Sequence, residues 1–340
     1  MNKLPVVIFI FKRQETLDVI FERVREYNPN KIYLIADAGR NSAEEKLVKA
    51  TRDKALNLID WDCEVIQDFA ETNKGVYDRI GKGALRVFER EKAAIFLEDD
   101  NYPSTTFFKY CEEMISKYEG DDDIAWICGT NYLGDSSYIG KEDYYYTRHL
   151  LPCGWASWSA KFTRIYDGDL ITLNDATVDL MKSTYIDKRL FDQEIHTVRQ
   201  AKINLNRNPK LVSWDRQMCY SIRSRKVLGI APKVNLIKNI GVDHHSEHGG
   251  DSMDKPMTAR FCGVDNYEIN FPLTSPSEKD INYHFESENE AVILYPFSLR
   301  LKRNLGRFIK RVFFVDPNDN IGTVKTKLST FVKYFKRSRK

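Results

Sequence analysis

The chain opens on a continuous apolar run, PVVIFIF at residues 5–11, the pattern of a strand buried on both faces of a parallel sheet. Residues 16–27 then place Leu17, Ile20, Phe21 and Val24 at helical spacing, and Asn28, Pro29 and Asn30 stop the helix. Residues 31–36 predict a second strand that ends in Asp37, Ala38 and Gly39. A helix over 43–58, a strand near 63–66, a loop at Asn73, Lys74 and Gly75, and a helix running through Phe88 follow. AAIFL at 93–97 is another buried strand, with Glu98, Asp99 and Asp100 at its carboxyl end. Strand and helix alternate throughout, so residues 1–130 predict a Rossmann-like, doubly wound half of an α/β domain with a mostly parallel sheet. In such sheets ligands bind beyond the carboxyl ends of the strands. Arg13, Asp37 and the three acidic residues at 98–100 all lie just past strands, in position to converge on one crevice.

Residues 131–290 read as a second half, irregular and rich in aromatics up to about residue 260, with YYY at 144–146 and CGWASW at 153–158. Such a region suits the wall of a binding cleft. The end of the chain regains helical periodicity. Phe297, Leu301, Leu305, Phe308, Ile309, Val312 and Phe313 fall on one face, and Val324, Leu328, Phe331, Val332 and Phe335 repeat the pattern. No internal repeat or long low-complexity segment interrupts this order.

Charge separates the end of the chain from the rest. Residues 300–340 carry 13 Lys/Arg against 2 Asp, a net +11, which leaves residues 1–299 with 39 basic and 47 acidic side chains, a net −8. A basic amphipathic tail over 297–340 predicts attachment to an anionic membrane surface. RNA is a rival ligand, but the apolar faces lack interleaved stacking platforms, so no nucleic-acid partner is expected; docking to a partner protein stays open as an alternative role for the tail. The longest apolar run is six residues, Val6 to Phe11, far short of the roughly 20 that span a bilayer. MNK leads straight into a strand without a signal-peptide pattern. Six cysteines lack paired spacing, which favours a reducing compartment over a disulfide framework or zinc site. The expected location is therefore cytoplasmic, peripheral on the inner face of the cell membrane.

Three carboxylates at the end of a hydrophobic strand repel one another unless a cation offsets them. A divalent metal bridging two phosphates does so and neutralises a nucleotide leaving group. Asp121, Asp122 and Asp123 follow a helix and a glycine instead, and read as a solvated loop.

The acidic triplet and the YP…FFKY segment after it (102–110) resemble the acidic motif and following helix of GT-A glycosyltransferases. The likeness is greatest to the N-acetylglucosaminyltransferase I family and related bacterial sugar transferases. FIFKR at 9–13, IADAG at 35–39, PCGWASW at 152–158 and SWDRQ at 213–217 agree in order, over residues 5–250 and excluding the tail. The resemblance implies an inverting transferase that uses a nucleotide sugar, UDP-linked, with Mn²⁺ or Mg²⁺, on a glycan or lipid-linked acceptor in surface polysaccharide synthesis. It implies that Asp37 holds the uracil, Arg13 and Lys74 lie near the donor, and Glu98 supports the site. Asp99 would then contact ribose or the metal's water, Asp100 would ligate the metal, and His248 would contact metal or diphosphate. Asp215 takes the position of the general base, with its pKa raised beside Trp214. Gly154, Trp155, Trp158 and Trp214 would form an acceptor-side wall on which a sugar stacks.

Plainer roles stand beside these: a surface ion pair for Arg13, a strand-end turn for Asp37, core packing for the tryptophans, and a helix cap for Ser213 or Asp215. The segment from Asp243 to His248 reads equally as a polar loop. Two other functions compete. A sugar-nucleotide nucleotidyltransferase shares the sheet and metal, but KRQE follows the first strand where that class carries a glycine-rich signature. A catalytically silent, membrane-attached binding protein would keep the fold and bind nucleotide without turnover.

Overall fold

The computed structural model describes residues 3–242, 252–313 and 315. The chain divides into two compact units, Met1–Ile293 and Leu294–Lys340. In the first, β1 (Val6–Ile10) is buried at every position, as its apolar run requires. α1 (Leu17–Tyr27) buries Leu17, Ile20, Phe21 and Val24. It ends at Asn28 in the left-handed region (φ 52°), whose N–H returns to the Val24 carbonyl. β2 (Lys31–Ala36) and α2 (Ser42–Asn57) follow, the latter capped by the Asn41 side chain, which accepts from the Ala43 and Glu44 N–H groups. β3 (Glu64–Phe69) runs three residues beyond the expected strand. It is a half-buried edge strand, so its polar continuation Gln67-Asp68 carries no apolar signal. The helix ending at Phe88 is a π-helical turn over Tyr77–Lys82 that passes into α3 (Gly83–Phe88).

Next come β4 (Ala93–Glu98), β5 (Asn101–Pro103), α4 (Phe107–Lys117) and β6 (Ile124–Cys128). The middle of the chain is more regular than its sequence promises. It supplies β7 (Tyr144–Thr147), β8 (Trp155–Trp158), α5 (Ser159–Ile165), α6 (Asp175–Lys182), α7 (Lys188–Arg207), α8 (Asp215–Ser224), β9 (Leu228–Pro232) and β10 (Ile237–Asn239). Its strands are three to five residues long, too short for a periodic pattern to show. α9 (Pro256–Cys262) and α10 (Tyr283–Ile293) complete the unit.

Eight strands form one sheet in the order β3-β2-β1-β4-β8-β6-β9-β7, and β5 pairs with β10 in a separate antiparallel ribbon. β1, β2, β3 and β4 are mutually parallel, whereas β8 enters antiparallel between β4 and β6. Strands from residues 1–130 and from residues 131–290 share this one sheet. The strand order turns back between β1 and β4, which makes the crevice past their carboxyl ends the topological switch point.

Both faces of this sheet are covered. Val6, Ile8 and Ile10 join the apolar face of α1 and Phe107, Phe108 and Met114 of α4 on one side. On the other, Phe9, Phe96, Trp155 and Trp126 stack in series and meet Phe88 of α3 and Phe162 of α5. The second unit contains α11 (Phe297–Val312). Among the described residues no helix is long and apolar enough to cross a membrane, and all six cysteines are free thiols.

Candidate functional site

β1 and β4 deliver their next residues to the same place. The Phe11 N–H donates to Asp99 Oδ2 at 2.9 Å, and Arg13 Nη1 donates to Asp99 Oδ1 at 2.8 Å and to Asp100 Oδ2 at 3.2 Å. Arg13 Nη2 reaches the Gly241 carbonyl at 3.4 Å. Thr16, at the start of α1, donates its hydroxyl to the Asp99 carbonyl. Arg13 and Asp99 are buried, so the surface ion pair is not the role Arg13 has.

Asn101 fixes the acidic turn from behind. It is 1% exposed, accepts from the Gly154 N–H at 2.8 Å and the Glu98 N–H at 3.3 Å, and donates to Asp100 Oδ1 at 2.7 Å. Gly154 lies at φ +60°, and a Cβ there would stand 2.5 Å from the Ile237 side chain. A larger residue would have to displace Ile237 of β10. Gly241 packs against Asp100 itself: a Cβ would collide with Oδ2 and lie 2.8 Å from the Asp100 Cβ. Neither Asn101 nor Gly241 was singled out by the sequence. The only signal was an amide directly after the triplet, and for Gly241 there was none.

Among the described residues, positive charge at this turn comes from Arg13. Burial first, then Asp100, Asp99 and Asp215, push the Glu98 carboxyl well above its ordinary range. Burial and the Asp100 charge hold Asp99 up to about 7 against the pull of Arg13. Burial also raises Asp100, opposed by Arg13 and by the amides of Asn101 and Asn239. Among the described residues the Arg13 guanidinium bonds Asp99 and Asp100 and acts on Glu98 through its charge, and a divalent cation would let all three ionise. Among the described residues no group of three or more His, Cys, Asp or Glu side chains is disposed to hold a metal ion. A cation bound here would have to draw most of its shell from ligands other than protein carboxylates. Of the two carboxylates bonded to Arg13, Asp100 is the more exposed, at 20% against 11% for Asp99, and is the one that could reach such a cation.

Asp37 has a different role from the one expected. Its Oδ1 accepts from the Ala38 and Lys74 N–H groups at 2.9 and 2.8 Å, and its Oδ2 from the Gly75 N–H and Asn73 Nδ2 at 2.7 and 3.0 Å. Four donors use the acceptor capacity of a carboxylate, so Asp37 anchors the 73–75 loop and has none left for a base. Lys74 stands exposed on that loop. Gly75 in turn abuts the chain before Asp215, since a Cβ there would meet the Lys210 carbonyl oxygen at 2.7 Å.

Asp215 is the first residue of α8, and Trp214 holds the cap position with no side-chain bond, so neither Ser213 nor Asp215 acts as the helix cap. Asp215 Oδ1 accepts from the Arg216 N–H at 2.9 Å and from the Ser213 hydroxyl, and its side chain is 30% exposed. Its charge acts on Glu98 and on the Tyr132 hydroxyl.

The tryptophans are core. Trp155, Trp158 and Trp214 are 1%, 5% and 3% exposed, so none offers an open ring face to a sugar. Trp155 is sandwiched by Phe96 at 3.8 Å and Trp126 at 4.2 Å, and Trp214 stacks on it at 5.6 Å. Through that stack the residue before Asp215 is fastened to the central sheet. Trp158 pairs with Ala93, at the opposite end of β4 from the acidic turn, and donates its indole N–H to the Ile115 carbonyl. His248 lies outside the described residues. Asp121 and Asp123 pair with Lys279, and Asp122 with Arg164, at the surface as expected of a solvated loop.

No protein-family model matches the chain, and no curated protein matches it in sequence. Solved structures similar to it include a mannosyltransferase from Pyrobaculum calidifontis in complex with GDP-Man and Mn²⁺, at 10% identity over 66% of this chain and 70% of that one, with a TM-score of 0.37. S. aureus TarS (residues 1–349) is 12% identical over 69% of this chain and 59% of that one, with a TM-score of 0.36. A UDP-glucose pyrophosphorylase bound to UDP-glucose is 8% identical over 70% and 94%, with a TM-score of 0.35. Likeness at this distance transfers no ligand or reaction to the chain.

Proposed function

We propose that this protein is an inverting, metal-dependent glycosyltransferase that moves a sugar from a nucleotide sugar, UDP-linked, to a glycan or glycolipid acceptor in surface polysaccharide synthesis. The observation that carries the reading is the buried, charge-deficient turn Glu98-Asp99-Asp100, clasped by Arg13 at the switch point of the sheet and within the field of Asp215. Asp100 would hold Mn²⁺ or Mg²⁺, which when bound neutralises charge on the diphosphate. Arg13 holds Asp99 and Asp100 in register, and the loop anchored by Asp37 presents Lys74 towards the donor.

Asp215 is the residue available to take a proton. The acceptor O–H gives its proton to the Asp215 carboxylate, the oxygen forms a bond to the sugar's anomeric carbon, and the bond from that carbon to the diphosphate breaks with its electron pair leaving on phosphate. Removal of a general base typically costs about 10²–10⁴ in rate. Asp215→Asn should therefore keep nucleotide-sugar affinity in calorimetry while turnover falls by that factor. Turnover equal to the parent's would sink the base assignment, and affinity for nucleotide without any turnover in the parent would favour a silent binding protein.

A further inference from the structure

α11 bears an apolar face that remains in solvent. Phe297, Leu301, Leu305, Phe308 and Val312 are 71, 56, 56, 64 and 50% exposed, and no residue of the helix is buried. At about 100° per residue these five positions fall within an arc of about 80°. Arg300, Lys302, Arg303, Arg307, Lys310 and Arg311 all lie outside that arc, on its flanks and on the opposite side, and the helix contains no acidic residue. A contiguous stripe of large apolar side chains in water is unfavourable, and a soluble chain retains one where something covers it.

We infer that α11 is a docking helix for an anionic lipid bilayer surface. Each half of the helix matches one layer of that surface: the apolar arc suits the acyl-chain boundary and the flanking cations suit acidic headgroups. A nucleic acid would match the cations and leave the apolar arc in water. A second copy of the same helix would match the arc and bring like charges together. The chain after the helix adds to the attraction, since residues 313–340 carry seven Lys/Arg against two Asp, a net +5. This inference goes beyond the sugar-transfer reading and stands or falls without it.

The test is flotation of the full chain with phosphatidylcholine vesicles, with and without phosphatidylglycerol, at low and high salt. We expect flotation with the phosphatidylglycerol vesicles that weakens as salt rises. Leu301→Glu/Phe308→Glu and Arg303→Glu/Arg307→Glu should each lower the bound fraction by about tenfold or more, with the circular dichroism of the parent retained. Equal flotation on neutral vesicles, salt-insensitive binding or unchanged binding of both double variants would overturn the inference. So would a dimer in sedimentation velocity that Leu301→Glu/Phe308→Glu dissolves, or binding to an RNA homopolymer but not to vesicles.

Discussion

Arg13 and Asp99, carried past the carboxyl ends of two adjacent parallel strands, meet at 2.8 Å in a buried ion pair, and the same guanidinium reaches Asp100 at 3.2 Å. This contact joins β1 to β4 where the strand order reverses and supplies the charge that lets the acidic turn exist there. Removing it leaves buried carboxylates uncompensated, which typically costs about 3–5 kcal/mol. Arg13→Met should lower the urea midpoint accordingly, and Mn²⁺ should restore more stability to the variant than to the parent. A variant as stable as the parent would show that Arg13 is not the counter-charge.

The pH dependence has a defined sign. Glu98, Asp99 and Asp100 are all raised above their ordinary values, so the folded protein binds more protons than the unfolded chain between the unfolded carboxyl range and about 7, where Asp99 titrates. Stability contributed by these groups is present at low pH and is lost as pH rises through that window. Metal-free protein should therefore unfold at lower urea as pH goes from 5 to 8, and Mn²⁺, by favouring the ionised forms, should flatten the trend. A pH trend in metal-free Asp99→Asn identical to that of the parent would contradict the assignment.

Gly241→Ala isolates the position of Asp100 from its chemistry. The added methyl collides with Asp100 Oδ2 and must displace the carboxylate. A displacement of about 1 Å at a reacting site can cost about 10² in rate. Metal-stimulated turnover should fall by that order while the thermal midpoint changes little. Unchanged turnover would place Asp100 outside the working site.

Trp158→Ala tests the core role of the tryptophans. Truncating a buried Trp costs about 3–5 kcal/mol. Asn101→Ala, which strands the Gly154 and Glu98 N–H groups and Asp100 Oδ1, should cost about 1–3 kcal/mol. Denaturation curves should show both losses, with acceptor KM unchanged for the Trp158 variant at temperatures where it is folded. A raised KM at unaltered stability would return Trp158 to the acceptor wall.

The sequence made the first half of the sheet legible because its central strands are uninterrupted apolar runs, and the carboxyl-end rule then placed Arg13, Glu98, Asp99 and Asp100 together. It could not reveal that β8 inserts antiparallel beside β4, because a four-residue strand, WASW, looks like an aromatic loop. The tryptophans were consequently read as a sugar-binding wall when Trp155 and Trp214 pack in the interior of the sheet's second face and Trp158 in that of the first, against α4. Asp37 was placed at the right strand end, but its four donors come from a loop 36–38 residues further on and from the next residue, pairings that spacing does not encode. Charge segregation in the tail was plain from composition. That Leu301, Leu305 and Phe308 remain in solvent required coordinates.

The most direct measurement is the release of nucleoside diphosphate from a panel of nucleotide sugars, with Mn²⁺ or chelator, by the parent and by Asp100→Asn. The expected result is slow hydrolysis of at least one donor that rises with Mn²⁺, falls with chelator, and loses its metal response in Asp100→Asn. If no donor is bound or hydrolysed, or if Asp100→Asn responds to Mn²⁺ as the parent does, the acidic turn is not a nucleotide-sugar site.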